Sequence, residues 1–165
     1  MPSVREKNKL GGKLNKNDND TNYKTDSYVN AWTEDPNVAE TNLHMGAVDL
    51  LQAMSRNTPN RHFQIAQGIG FILRYHELRG GNQEANYNLA RAFQSVGLYY
   101  LAIPYYESAL AQEPLTPAQR TVKSQDELEP YDLKRESAWN LVAIYMRSGN
   151  ELMAADLVRR FLQVV

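Results

Sequence analysis

The sequence contains no cysteine, which excludes disulfide bonds, thiolate metal ligands and cysteine nucleophiles. It also lacks any run of the roughly 18 to 20 apolar residues that a membrane-spanning helix needs. The first residues, Met1 to Lys7, do not have the apolar segment of a signal peptide. We therefore expect neither a membrane partner nor secretion, and a cytosolic or nuclear location is compatible with the lack of cysteine.

The chain has little excess charge of either sign. Its 18 lysines and arginines nearly balance 19 aspartates and glutamates, which gives a net charge of −1. Composition thus shows no basic patch, and direct nucleic-acid contact is not expected. Arg56, Arg61, Arg74 and Arg79 could gather into a strip that touches phosphates, but long charged side chains on helices more often form a solvated face.

The first 40 residues have few apolar side chains and no periodic apolar face. Such a segment cannot bury enough surface to offset its ordering entropy, so residues 1–40 are predicted to be a disordered polar segment. One apolar cluster interrupts it, made of Tyr28, Val29, Ala31 and Trp32. This cluster either docks as a short turn before Pro36 or is a stray apolar patch.

From Thr41 onward, apolar residues recur at spacings of three and four, which is typical of amphipathic helices. Thr58 and Pro59 resemble an N-cap followed by the first helical residue, and Gly68 and Gly70 in that second helix favour close approach of a neighbouring helix. The second helix should be buried on more than one side. No strand-like alternation occurs, so the fold class is all-α with about six helices, predicted at 41–55, 58–79, 83–96, 99–112, 132–147 and 150–164.

An internal repeat with a period of 52 residues relates the third and fourth helices to the last two. Its spacings match the tetratricopeptide (TPR) pattern, with an insertion, because small residues stand where paired helices approach closely and aromatic residues fill the remaining space. The repeat-signature residues are Leu89, Ala90, Phe93, Gly97, Ala102, Tyr106 and Ala109 in the first copy and Leu141, Tyr145, Gly149 and Ala154 in the second.

These repeats predict a TPR-like helix-hairpin array, an α-solenoid, over residues 41–165. Its units are expected at 41–81, 83–114 and 132–165, with a proline-containing loop at 115–131. The pattern has departures: Asn86 replaces the usual aromatic residue, Pro104 lies inside a helix, and Val158 and Phe161 replace Tyr106 and Ala109 in the second copy. The replacement of Tyr106 and Ala109 by Val158 and Phe161 suits a last repeat, because no further repeat packs on its outer face.

Several motifs, which extend beyond the generic TPR positions, resemble a known family. They are Asn60-Arg61-His62, Gln67 to Tyr75, Leu78-Arg79, Glu84 to Phe93, Gly97 to Ala102, Tyr105-Tyr106, Lys134 to Leu141, Ile144-Tyr145 and Ser148 to Asn150. On these motifs, residues 42–165 resemble the C-terminal region of the TPR-containing scaffold subunit of RNA polymerase III transcription factor IIIC (TFIIIC).

The resemblance implies a noncatalytic protein–protein interaction scaffold in the nucleus. Its expected partners are other TFIIIC components and the initiation factor TFIIIB, which the subunit would help to recruit. The alternative is a TPR adaptor or cochaperone that binds peptide C-termini. The chain offers no phosphate-binding loop, nucleophile elbow or acidic metal cluster, and none of its three histidines has a second histidine at zinc-site spacing, so we expect no enzyme activity, cofactor or metal.

Four residues are candidates for partner binding. Asn88 and Asn140 occupy equivalent repeat positions, where an amide can pair with a peptide backbone; alternatively, these amides bond between neighbouring helices. The other two candidates are Arg91 and Val164. The final helix carries more apolar surface than one amphipathic stripe requires, so self-association of the isolated fragment is also expected, unless a partner covers that surface.

Overall fold

The computed structural model describes residues 27–55, 58–114 and 132–163. Residues 1–26, Arg56, the predicted loop 115–131 and the candidate binding residue Val164 lie outside the described residues. Every regular element in the described ranges is helical, in agreement with the predicted all-α class. None of their helices is long and apolar enough to cross a membrane.

Seven α-helices follow one another in the described residues, one more than predicted. They are α1 (27–34), α2 (Ala39–Ala53), α3 (Arg61–Leu78), α4 (Gln83–Ser95), α5 (Tyr99–Ala111), α6 (Lys134–Arg147) and α7 (Glu151–Leu157). A π-helical turn, Val158–Leu162, continues α7. The chain packs as consecutive hairpins, α2 with α3, α4 with α5 and α6 with α7, as a helical repeat array requires.

The extra helix, α1, corrects the prediction that all of residues 1–40 are disordered. Tyr28 stacks on His44 of α2, with ring centroids 4.8 Å apart, and the Trp32 ring meets Phe71 of α3 edge-on at 5.6 Å. The apolar cluster therefore docks on the first hairpin rather than standing alone. Its aromatic rings supply the apolar contact with α2 and α3.

Two glycines let α2 and α3 cross closely. A Cβ atom on Gly46 would lie 2.6 Å from the Ile72 side chain, and one on Gly68 would lie 2.9 Å from Leu50 Cγ. The expectation for Gly68 is thus confirmed. It is wrong for Gly70, which faces open space with nothing within 4 Å of such a Cβ.

The start of α3 also differs from the prediction. Thr58 and Pro59 precede the helix, and Asn60 is its N-cap in a left-handed conformation with φ of 55°. The Thr58 hydroxyl does not cap α3 but donates to the Gln52 carbonyl of α2, 2.5 Å away. Helix α3 packs against both α2 and α4, which agrees with the expected burial on more than one side, although its Phe63 is 67% exposed.

The α4–α5 hairpin follows the TPR pattern closely. The Asn82 side chain caps α4 by accepting from the Ala85 amide at 2.9 Å, and Gly97 turns the chain between the helices with φ of 82°. The small and large signature residues of this hairpin are all buried, namely Leu89, Ala90, Phe93, Ala102, Tyr106 and Ala109. Pro104 lies beyond the first turn of α5 and has no amide N–H to donate to the carbonyl of Tyr100.

The α6–α7 hairpin repeats this arrangement, with Gly149 at φ of 77° and the signature residues Leu141, Tyr145 and Ala154 buried. Its end departs from the predicted register. Val158, expected in the place of Tyr106, is exposed, and the preceding Leu157 is buried instead. The chain then winds into the wider π turn, in which Phe161 is only partly buried against the core.

One buried polar side chain joins the two TPR-like hairpins. Gln83, at the start of α4, is 1% exposed. Its Nε2 atom donates to Asp132 Oδ1 at 2.9 Å and to the Ala109 carbonyl at 3.2 Å, while its Oε1 atom accepts from the Leu133 amide at 3.1 Å. This residue therefore fixes the start of α6 against α4 and α5.

Candidate functional site

A cleft of about 370 Å³ separates α4 from α6. We call it the α4–α6 groove, and it is lined by Arg91, Gln94, Ser95, Tyr99, Asn140, Ala143, Ile144 and Arg147. The helical spacing explains this set, because residues three or four apart share one face. Arg91, Gln94 and Ser95 lie on one face of α4, and the lining residues of α6 recur at the same spacing.

Aromatic rings hold both arginines of the groove. The Arg147 guanidinium lies over the Tyr99 ring, 5.7 Å from its centroid, and donates to the Tyr99 hydroxyl. The Arg91 guanidinium lies over the Tyr87 ring, 5.8 Å from its centroid, one helical turn away on α4. Such cation–π contacts restrict the rotamers of a long side chain while leaving its charge accessible.

The lining of the groove carries positive side chains and no negative ones in the described ranges of the chain. In those same ranges, the ion pairs occupy other arginines: Arg74 bonds Glu77 at 2.9 Å, and Arg79 bonds Glu84 at 2.9 Å. Arg91 and Arg147 have no carboxylate within 4.0 Å among the described residues.

A second cleft adjoins the groove through Asn140, which lines both. Its other lining residues are Tyr87, Arg135, Glu136, Trp139 and Leu162. Trp139 is 67% exposed, although its repeat equivalent Tyr87 packs edge-on against the buried ring of Tyr106. An exposed tryptophan beside a polar cleft is a common anchor for a bound protein segment.

The structure places the four candidate binding residues in different surroundings. Asn140 and Arg91 line the α4–α6 groove together, and Asn140 Nδ2 donates to the Glu136 carbonyl at 2.8 Å. Asn88 does not reach the groove, because its amide donates to the Tyr75 hydroxyl of α3 at 3.2 Å, which is the alternative bond between neighbouring helices. Val164 lies outside the described residues.

Sequence reasoning missed Gln94, Tyr99, Trp139 and Arg147. A partial signal was present, since Tyr87 and Trp139 both stand one residue after the usual aromatic position. The proximity of Tyr99 and Arg147 could not be found from spacing, because these residues are 48 positions apart and meet only when the hairpins stack.

No group of three or more histidine, aspartate or glutamate side chains could hold a metal ion within the ranges that the structure covers. His76 Nε2 lies 2.9 Å from Asn86 Oδ1 in a bond between α3 and α4, and its ring meets Tyr105 edge-on. His44 stacks on Tyr28, and His62 is exposed. Two of the three histidines thus have packing roles.

No known family model matches the chain. Three curated proteins are similar to it in sequence. The transcription factor tau subunit sfc4 of Schizosaccharomyces pombe is 38% identical over 141 residues, or 82% of this chain. The transcription factor tau 131 kDa subunit of Saccharomyces cerevisiae is 36% identical over 147 residues, and the human general transcription factor 3C polypeptide 3 is 37% identical over 137 residues, each match covering 83% of this chain.

Over this shared region, the chain is a homologue of the TPR-containing TFIIIC subunit. The family resemblance carried by the sequence motifs is therefore confirmed. The chain spans only 13% to 15% of the length of these relatives. Each of them is a transcription factor subunit by name, and none is named as an enzyme.

Proposed function

We propose that this chain is a noncatalytic interaction scaffold and corresponds to the C-terminal TPR region of a TFIIIC subunit. In this role it supports RNA polymerase III transcription initiation in the nucleus, through assembly of TFIIIC and recruitment of TFIIIB. The observation that carries the proposal is the 36% to 38% identity, over more than four-fifths of the chain, to transcription factor subunits of three organisms.

The geometry supports a binding role rather than a catalytic one. Stacked hairpins present side chains from several helices on one surface, which suits recognition of another protein. In the α4–α6 groove these side chains are amides, arginines and a tyrosine hydroxyl, beside the exposed ring of Trp139. Groups of this kind orient a bound segment through hydrogen bonds and aromatic contact.

One observation favours the alternative function, an adaptor for peptide C-termini, and another opposes it. Arg91 and Arg147 supply cations in the groove, and Glu84 of α4 bonds Arg79 and Tyr75 rather than either of them. Asn88, however, points to α3, so the expected pair of clamp asparagines does not form. A peptide assay with free and amidated C-termini distinguishes the two functions.

Affinity purification of the tagged chain from nuclear extract, followed by mass spectrometry, tests the proposal. We expect co-recovery of other TFIIIC subunits. Ala90→Asp, which places a charge at a fully buried position of α4, should abolish this recovery, whereas Ala66→Asp on the exposed face of α3 should retain it. Recovery of the folded chain without any other TFIIIC subunit would contradict the proposal.

A further inference from the structure

The α4–α6 groove has a local charge that differs from that of the whole chain. The chain carries a net charge of −1, yet the described residues that line the groove include two arginines and no carboxylate. A cleft lined by one sign of charge concentrates ligands of the opposite sign and selects among partners. The electrostatics therefore favour an acidic occupant.

The two guanidinium groups are presented in a way that suits carboxylates. Each lies over a tyrosine ring, with its central carbon 5.8 Å from the ring centroid for Arg91 and 5.7 Å for Arg147. A guanidinium has N–H donors along its edge, of which Arg147 uses one to donate to the Tyr99 hydroxyl. A carboxylate can accept two parallel hydrogen bonds from that edge.

Besides the arginines, the groove offers groups that match a peptide backbone. Gln94 and Asn140 line it, and an amide side chain can donate to a backbone carbonyl and accept from a backbone amide. The Gln94 side chain is oriented by the buried Tyr106, whose hydroxyl donates to Gln94 Oε1. The adjoining cleft adds the exposed ring of Trp139, an apolar surface for one partner side chain.

We infer that the α4–α6 groove binds an acidic segment of a partner protein, with carboxylate side chains at Arg91 and Arg147 and an apolar side chain against Trp139. This inference rests on the proposed function, because it names the chemistry of the partner that the scaffold holds. A protein is favoured over nucleic acid because the chain as a whole is not basic, which opposes binding of a phosphate backbone, and because the amides of the groove and the Trp139 ring suit a peptide segment.

The test begins with a selection on the full chain from displayed random peptides of about ten residues, which span about 35 Å when extended. Selected peptides are synthesised with acetylated and amidated ends, and their affinities are measured by fluorescence anisotropy. We expect enrichment of Asp and Glu together with an apolar residue. Replacing the acidic residues of a selected peptide by Asn and Gln should weaken binding by about tenfold or more, and added salt should also weaken it.

Charge reversal locates the binding surface. The double variant Arg91→Glu with Arg147→Glu should lose the acidic peptides by about tenfold or more. The matched control is Arg61→Glu with Arg159→Glu, which makes the same change of net charge at exposed positions outside the groove and should bind normally. Trp139→Ala should weaken binding while leaving the preference for acidic residues. Circular dichroism confirms that each variant is folded.

Each contrary outcome has a distinct meaning. Selection of neutral or basic peptides, or equal binding by the groove variant and its control, overturns the inference. Binding that requires a free C-terminal carboxylate overturns it in favour of the adaptor function. Binding of a labelled oligothymidylate that is lost in the groove variant, without binding of any capped peptide, overturns it in favour of nucleic acid. Co-recovery of TFIIIC subunits is unaffected by these results, so the proposed function is judged separately.

Discussion

At the scale of single residues, the sequence predicts burial best where a position demands one size of side chain. Ala90, Ala102 and Ala109 were assigned to helix contacts from spacing alone, and all three are fully buried. A role that depends on which neighbouring helix a residue faces is harder to predict. Gly68 and Gly70 look equivalent in the sequence, but only the first faces α2, because two positions on a helix are about 200° apart around its axis.

Substitution of two helical glycines by alanine should have opposite effects. Gly70→Ala should stabilise the protein by about 0.5 to 1 kcal/mol, because its side chain meets open space and alanine favours the helix. Gly46→Ala should destabilise it by about 1 to 3 kcal/mol through overpacking against Ile72. Chemical unfolding of both variants measures the difference. Equal effects at the two positions would show that α2 and α3 do not cross at Gly46.

Asp49 carries a partly buried carboxylate that the sequence does not reveal. One of its carboxylate oxygens has no hydrogen-bond partner among the described residues, and burial raises the pKa of this carboxyl above its ordinary value of 3.8. The folded chain therefore holds this proton to higher pH than the unfolded chain does. Between the unfolded and folded pKa values, this group's contribution to the free energy of unfolding falls as pH rises, and it remains low above that range.

Asp49→Asn should consequently stabilise the chain at neutral pH and have little effect at pH values below the unfolded pKa. Thermal melts over a pH series measure this difference. The control is Asp35→Asn, an exposed position where an asparagine oxygen can still accept the bond from the Asn37 amide. If Asp49→Asn lowers the melting temperature at neutral pH, the carboxylate has a partner that offsets its burial.

At the scale of elements, periodicity predicts the existence of the helices better than their ends. Five of the six predicted helices begin within two residues of the observed ones. The second starts later than predicted, since the Thr58 hydroxyl bonds backward to α2 instead of capping α3. The α1 helix was missed because its cluster is short and finds its aromatic contacts on α2 and α3, residues that are distant in sequence.

Hydrogen bonds to neighbouring elements explain why Asn86, a polar residue, stands at the usually aromatic position of the repeat. Asn86 is buried and donates to the Gly81 carbonyl at 2.8 Å and to Gln112 Oε1 at 2.9 Å, while His76 contacts its oxygen. The network joins α3, α4 and the end of α5. Spacing alone cannot predict it, because it needs His76 and Gln112 to converge.

Gln83 should be the most sensitive polar residue between the two TPR-like hairpins. Gln83→Leu leaves the Leu133 amide without its acceptor and should lower the free energy of unfolding by about 1 to 3 kcal/mol. Gln67→Leu, on the exposed face of α3, is the matched control and should have little effect. Denaturant unfolding provides the measurement, and equal stability of the two variants would contradict the role given to Gln83.

At the scale of the whole molecule, the repeat motif and the family motifs predict the fold class and the family. The candidate site is only partly predictable. Arg91 and Asn140 are among the residues proposed from the sequence, but the groove that unites them exists because α6 packs against α5 and lies across a cleft from α4. Arg147 and Tyr99 enter the site only through that packing. Repeat spacing gives no information about contacts across such a cleft.

We expect this TFIIIC homologue to hold another protein in the α4–α6 groove and the cleft beside it. Site-specific photocrosslinking in nuclear extract tests it most directly, with a photoreactive amino acid at Trp139 and, in a matched control, at the exposed Ala66 of α3. We expect a covalent adduct to another TFIIIC or TFIIIB component from position 139 and none from position 66. Adducts from position 66 alone would contradict it.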